Sequence, residues 1–120
     1  MEKPTAGISF EQVRRTLLEA REVRERLERV LEDFDLSYGQ FTALDAIVRH
    51  GPFESMAVAE TAWEKVDYSR ISQLTEMGYA RRKPSAEDGR KKLVEVTEPG
   101  KRLYYRITDR VESFGDELES

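Results

Sequence analysis

Apolar residues from Val13 onward return every seven positions, at Val13, Ala20, Leu27 and Phe34, with Val23 and Val30 at the complementary spacing. Leu17 and Leu31 widen the stripe, and the remaining positions, as in "EAREVRERLERVLED", are almost all Arg and Glu. A seam of this period on a charged cylinder predicts one long helix of about 37 Å that packs against another helix. Ser9 followed by Gln12 is a capping-box pair that starts it. A second pair, Ser37 with Gln40, opens the helix "YGQFTALDAIVRH", which turns Phe41, Leu44, Ile47 and Val48 inward and stops at Gly51-Pro52. A short helix is expected around "SMAVAETAW", with Met56, Ala59 and Trp63 inward. Asp67 then starts the helix "YSRISQLTEM", closed by Gly78, with Ile71 and Leu74 facing in and Ser69, Ser72, Gln73 and Glu76 facing out.

After Gly78 the period drops to two. "YARRKP" and "KLVEV" flank the turn-forming "SAEDG", which predicts a β-hairpin with Val94 and Val96 on one side. Thr97 caps a last helix with Pro99 in its first turn. Leu103, Ile107, Val111, Phe114 and Leu118 form its apolar stripe. The order is thus long helix, three short helices, hairpin, long helix: a mainly α chain with a β-hairpin wing, a winged helix-turn-helix.

Length and charge sharpen this picture. The 120 residues make a single domain, 1–120, with a central lobe at 36–97 and long helices at 9–34 and 98–119. The stripes on the two long helices exceed what the lobe can cover, so a second copy is expected on Val13, Leu17, Val23, Leu27, Leu103, Ile107, Val111, Phe114 and Leu118. Cysteine is absent, which excludes a disulfide scaffold and thiol chemistry. His50 is the one histidine and suits a helix end, where the dipole favours it, so no metal site is expected. No phosphate loop and no nucleophile–base pairing emerges, so neither enzyme nor cofactor is expected. No apolar run reaches the ~20 residues of a membrane span and the N-terminus lacks a signal core, which makes the cytoplasm the expected location.

The charge is unevenly placed. Arg81 to Lys92 holds six basic and two acidic residues in a chain of net charge −4, leaving −8 elsewhere. A local basic patch on an acidic chain suits an anionic partner; a solvated hairpin that keeps the chain soluble is the plainer alternative.

"LSYGQFTALDAI", "LTEMGYARRK" and "EDGRKKLVEVTEPGKRLY" resemble the multiple-antibiotic-resistance regulator (MarR) family. The matching positions are Leu36, Gln40 and Phe41, then Leu74 and Gly78, then Asp88 and Arg90, then Val96, Thr97 and Gly100. The resemblance covers roughly residues 36–107 and is most specific at the wing. It implies a homodimer with interlocked terminal helices and a small aromatic ligand where the first long helix meets the Phe41 helix. It also implies double-stranded DNA as partner, with the helix after Asp67 in the major groove and the wing in the minor groove. Asp88 would then orient Arg90, which inserts into the minor groove. Ser69, Ser72 and Gln73 would set the sequence preferred, Arg70 would add a DNA-binding cation on the same helix, and Arg81, Arg82, Lys83, Lys91 and Lys92 would meet DNA from the wing. A sequence-specific DNA-binding regulator is the function expected; a winged-helix protein-interaction module without DNA readout is the alternative.

Overall fold

The computed structural model describes residues 7–54 and 68–119, with backbone alone for 53–54 and 114–119. Helix α1 runs Phe10–Glu32, α2 Tyr38–His50 and α3 Tyr68–Glu76. Strand β1 is Phe53–Glu54, β2 Ala80–Pro84 and β3 Lys92–Val96, and α4 runs Glu98–Glu119. The expected helix around Met56, Ala59 and Trp63, and the Asp67 start of α3, lie outside the described residues.

Local signals set the ends of these helices. Ser9 and Ser37 each accept from the backbone N–H three residues on, and Gln12 and Gln40 each accept from the N–H of the capping serine, so both capping boxes close. Beyond α3, Gly78 takes φ +85°, the left-handed conformation that suits glycine at a helix C-terminus. Thr97 Oγ1 accepts from Gly100 N–H at 3.2 Å and donates to the Gly78 carbonyl at 2.6 Å, tying the start of α4 to the end of α3.

Helix α2 is the centre. Every residue from Phe41 to Ile47 is buried, against α1, α3, β3 and α4. Ile71 and Leu74 of α3, Val94 of β3, Leu31 of α1 and Leu103 and Ile107 of α4 complete the core around it. Two polar side chains lie inside this sleeve, and both are hydrogen-bonded. Thr42 donates to the Gly39 carbonyl at 2.9 Å. Asp45 accepts from the Tyr104 hydroxyl at 2.6 Å, while the Tyr104 ring stacks 5.9 Å from Phe41. Burial, and then the Asp45 carboxylate, push the Tyr104 hydroxyl well above the ordinary tyrosine range, so it stays a donor wherever the protein is folded.

The sheet corrects the sequence reading in one respect. Among the described residues it has three strands in the order β1-β3-β2, both pairs antiparallel, with Phe53 opposite Val94. A two-residue strand carries no alternation to detect. In the β2–β3 ladder Arg81 stands opposite Glu95 and Arg82 opposite Val94.

The apolar stripes also divide differently from expectation. Leu103 and Ile107, placed on the dimer seam by periodicity, are buried in the core of their own chain. Leu27 is half-buried against that core as well, and Phe34 lies past the end of α1. Leu17 and Val23 stay 63% and 61% exposed, with Leu18 and Val111 also open. Phe114 and Leu118 lie where only backbone is described. Periodicity finds an apolar face but does not say which chain covers it.

Tyr104→Phe removes a hydrogen bond to a buried carboxylate and keeps the ring. It should lower unfolding free energy by about 1–3 kcal/mol in urea titrations, without change in secondary structure.

Candidate nucleic-acid interface

Helix α3 presses Ile71 and Leu74 onto α2, and its flanks are more engaged than a helical wheel suggests. Ser69 and Glu76 are exposed as expected. Ser72 and Gln73, expected to face outward, are half-buried and already bonded. They sit on the flanks of the helix, one step away from Ile71 and Leu74, where α2 and β2 reach them. Arg70 lies across the backbone of α2: a Cβ at Gly39 would sit 2.7 Å from its Nε, so a larger residue there would make the arginine side chain shift. Its guanidinium donates to Gln73 Oε1 at 3.3 Å, and Gln40 Nε2 donates to the same oxygen at 3.0 Å.

Arg82 is a strut from wing to helix. It leaves β2 on the face of buried Val94, donates to Ser72 Oγ at 3.0 Å and lies 5.1 Å over the Tyr68 ring. Its Nε is buried without a partner among the described residues. A guanidinium placed this way holds α3 against the sheet and is not a free surface cation.

Arg81 and Lys83 project from the opposite face of the hairpin and converge on Glu95, at 2.5 and 2.9 Å. Glu95 is only 16% exposed, and the hydrogen bonds from Lys83 and then Arg81 hold its carboxyl below the ordinary value of 4.5. Sequence counting missed this residue because Glu95 lies outside the basic run. The alternation of "KLVEV" together with the β2–β3 register brings it in. Arg81 and Lys83 therefore share one carboxylate, which offsets one of their two positive charges.

The wing tip differs in character. Ser85 N–H donates to the Lys91 carbonyl and Lys91 N–H to the Asp88 carbonyl, both at 2.9 Å, closing the loop between the strands. Asp88 Oδ1 then accepts from the Arg90 backbone N–H at 3.1 Å and from its Nε at 3.4 Å. The Arg90 side chain is 93% exposed, so a loop carboxylate holds its base while the guanidinium projects into solvent. Lys91 and Lys92 flank it, both exposed.

Elsewhere, a groove of about 310 Å³ lies where α1 meets α2, lined by Leu17, Ala20, Arg21, Arg24 and Tyr38. Arg24 stands 4.0 Å over the Tyr38 ring. His50 is exposed in the last turn of α2. Among the described residues no cluster of His, Cys, Asp or Glu could hold a metal, and no helix is long and apolar enough to cross a membrane.

No protein-family model and no curated protein matches the chain. Solved structures do. MarR of Staphylococcus aureus, in complex with salicylate and kanamycin, superposes with a TM-score of 0.77 over 90% of this chain and 73% of that one, at 21% identity. The chain has the MarR-type winged-helix fold. A variant of S. aureus MepR bound to an oligodeoxyribonucleotide gives 0.71 over 92% and 82%, at 17% identity. A MarR-like transcription regulator of Bacillus cereus gives 0.67 over 89% and 81%, at 21% identity. In this fold β2–β3 is the hairpin wing.

The Glu95 pairing is open to titration. A depressed folded-state pKa stabilises the protein above the ordinary glutamate value, and that stability is lost as pH falls through the lowered folded value. Carboxyl-detected NMR should give Glu95 a midpoint below 4.5, and Glu95→Gln should flatten that part of the acid stability profile. A midpoint at or above the ordinary value contradicts the pairing.

Proposed function

We propose that this chain is a sequence-specific, duplex-DNA-binding transcription regulator that acts as a homodimer, with α3 in the major groove and the wing at an adjacent minor groove. The observation that carries this reading is the projecting Arg90, anchored at its base by Asp88 and flanked by Lys91 and Lys92. A narrow minor groove concentrates negative potential and attracts a guanidinium presented in this way. A variant of S. aureus MepR with the same fold is bound to an oligodeoxyribonucleotide, which supports the DNA-binding reading. Glu95 offsets part of the charge of Arg81 and Lys83 and so weakens phosphate attraction along the strands, which makes binding modest and strongly salt-dependent. Ser69 and Gln73 are the base-facing residues of α3, and Arg70, Ser72 and Arg82 hold that helix in place.

Dimerisation is proposed from the open apolar positions Leu17, Leu18 and Val23 on α1 and Val111 on α4. Side chains so exposed on charged helices gain about 25 cal/mol per Å² when covered by a second copy. Sedimentation is expected to find a dimer that Leu17→Asp weakens; a folded monomer at micromolar concentration contradicts it.

The protein-interaction alternative draws support from Glu95, which offsets one positive charge of the wing. Arg90→Ala separates the two readings. On a selected duplex it should weaken binding by about 1–3 kcal/mol, the scale of one well-placed contact. Lys91→Ala or Lys92→Ala should lower the salt slope by about one with little effect on sequence preference. Unchanged affinity of Arg90→Ala on selected and random duplexes across salt would favour the interaction module.

A further inference from the structure

A chain of side-chain hydrogen bonds joins the start of α2 to the middle of α3, and its direction is fixed. Ser37 N–H donates to Gln40 Oε1 at 2.9 Å, and Gln40 Nε2 donates to Gln73 Oε1 at 3.0 Å. Arg70 also donates to Gln73 Oε1, at 3.3 Å. Both ends of this chain are donors only: a backbone N–H at one, a guanidinium at the other. Turning the Gln73 amide over would set its NH₂ against the Arg70 guanidinium. Turning the Gln40 amide would set its NH₂ against the Ser37 N–H. The network therefore admits a single orientation of each amide. Gln73 Oε1 is committed to two intramolecular donors. Its Nε2 has no acceptor among the described residues and is not a buried orphan.

This matters for what Gln73 can read. A glutamine with both amide atoms free grips adenine by accepting from N6 and donating to N7. Gln73 can only donate. We propose that Gln73 is a specificity-determining residue of fixed polarity, favouring a guanine or thymine edge and disfavouring adenine or cytosine, and that Gln40 is the residue that positions it. Guanine presents two acceptors in the major groove and thymine presents O4, whereas adenine offers N7 alone beside an exocyclic amine that opposes the Gln73 NH₂, and cytosine offers only the amine. Gln40 thus has two functions. Its oxygen closes the capping box of α2, and its nitrogen sets the polarity of the reading residue. The inference rests on the duplex-reading function proposed above.

Gln40→Glu isolates the second function. Glutamate at this position also closes a capping box, so α2 keeps its start. It offers Gln73 an acceptor in place of a donor, so Arg70 alone still holds the Gln73 amide in its original orientation. Gln73→Glu leaves the acceptor toward Gln40 and Arg70 and removes the outward NH₂. Duplexes selected from a randomised pool by the wild-type chain should carry one half-site position enriched for guanine or thymine over adenine. By individual titration the preference should be about five-fold to a hundred-fold. Gln40→Glu should relax that position alone, and Gln73→Glu should erase the preference there, with circular dichroism confirming the fold of each. If Gln40→Glu does not fold, Gln73→Glu decides by itself. Selected sites identical in all folded proteins, or a wild-type adenine preference that Gln73→Glu removes, overturns the proposal while leaving DNA binding intact. Absence of any enriched duplex with the wild-type chain defeats the regulator reading and this inference together.

Discussion

Burial of α2 on all sides is the constraint from which the rest of the structure follows. Seven consecutive residues, Phe41 to Ile47, face protein, so α1, α3, the sheet and α4 all take their positions from one helix. A helix enclosed in this way has no water to satisfy its polar groups, and each must find a partner inside. Thr42 finds the backbone one turn back, and Asp45 finds Tyr104 on α4. The second bond is both a necessity of burial and a pin. It joins the central lobe to the helix whose far end extends beyond that lobe.

The same helix organises the candidate interface at its other end. Gln40 sits at the first turn of α2, where the capping box already requires its oxygen, and the nitrogen left over falls within reach of α3. Gly39, with no side chain, leaves Arg70 its place across α2. Arg82 ties α3 to β2 from the other side. The helix is thus clamped between α2 and the sheet, as a reading element must be if its side chains are to meet a fixed groove. The basic patch resolves into separate roles. Arg82 is structural, Arg81 and Lys83 share Glu95, and the Arg90 side chain, held at its base by Asp88, projects into solvent.

What was legible in the sequence was what is local. Capping boxes and the glycine after α3 act over three or four residues, so Ser9 with Gln12, Ser37 with Gln40, and Gly78 give the helix ends directly. The Asp88–Arg90 contact spans two residues too, though it was the family resemblance that pointed to it. Features set by tertiary register were not legible. Glu95 meets Arg81 across a ladder, β1 is two residues long, and Gln40 meets Gln73 across 33 positions. The stripe on α4 was real, yet Leu103 and Ile107 are covered by their own chain, because periodicity locates a face and not its occupant.

The central claim is that the clamped helix α3 and the wing tip form one surface for duplex DNA. The direct measurement is amide NMR of the labelled wild-type protein during titration with a selected duplex. The account predicts shifts at Ser69 to Glu76 and at Asp88 to Lys92, with the Gln73 side-chain NH₂ among the largest. Shifts confined to the exposed faces of α1 and α4, with α3 and the wing unmoved, would contradict it.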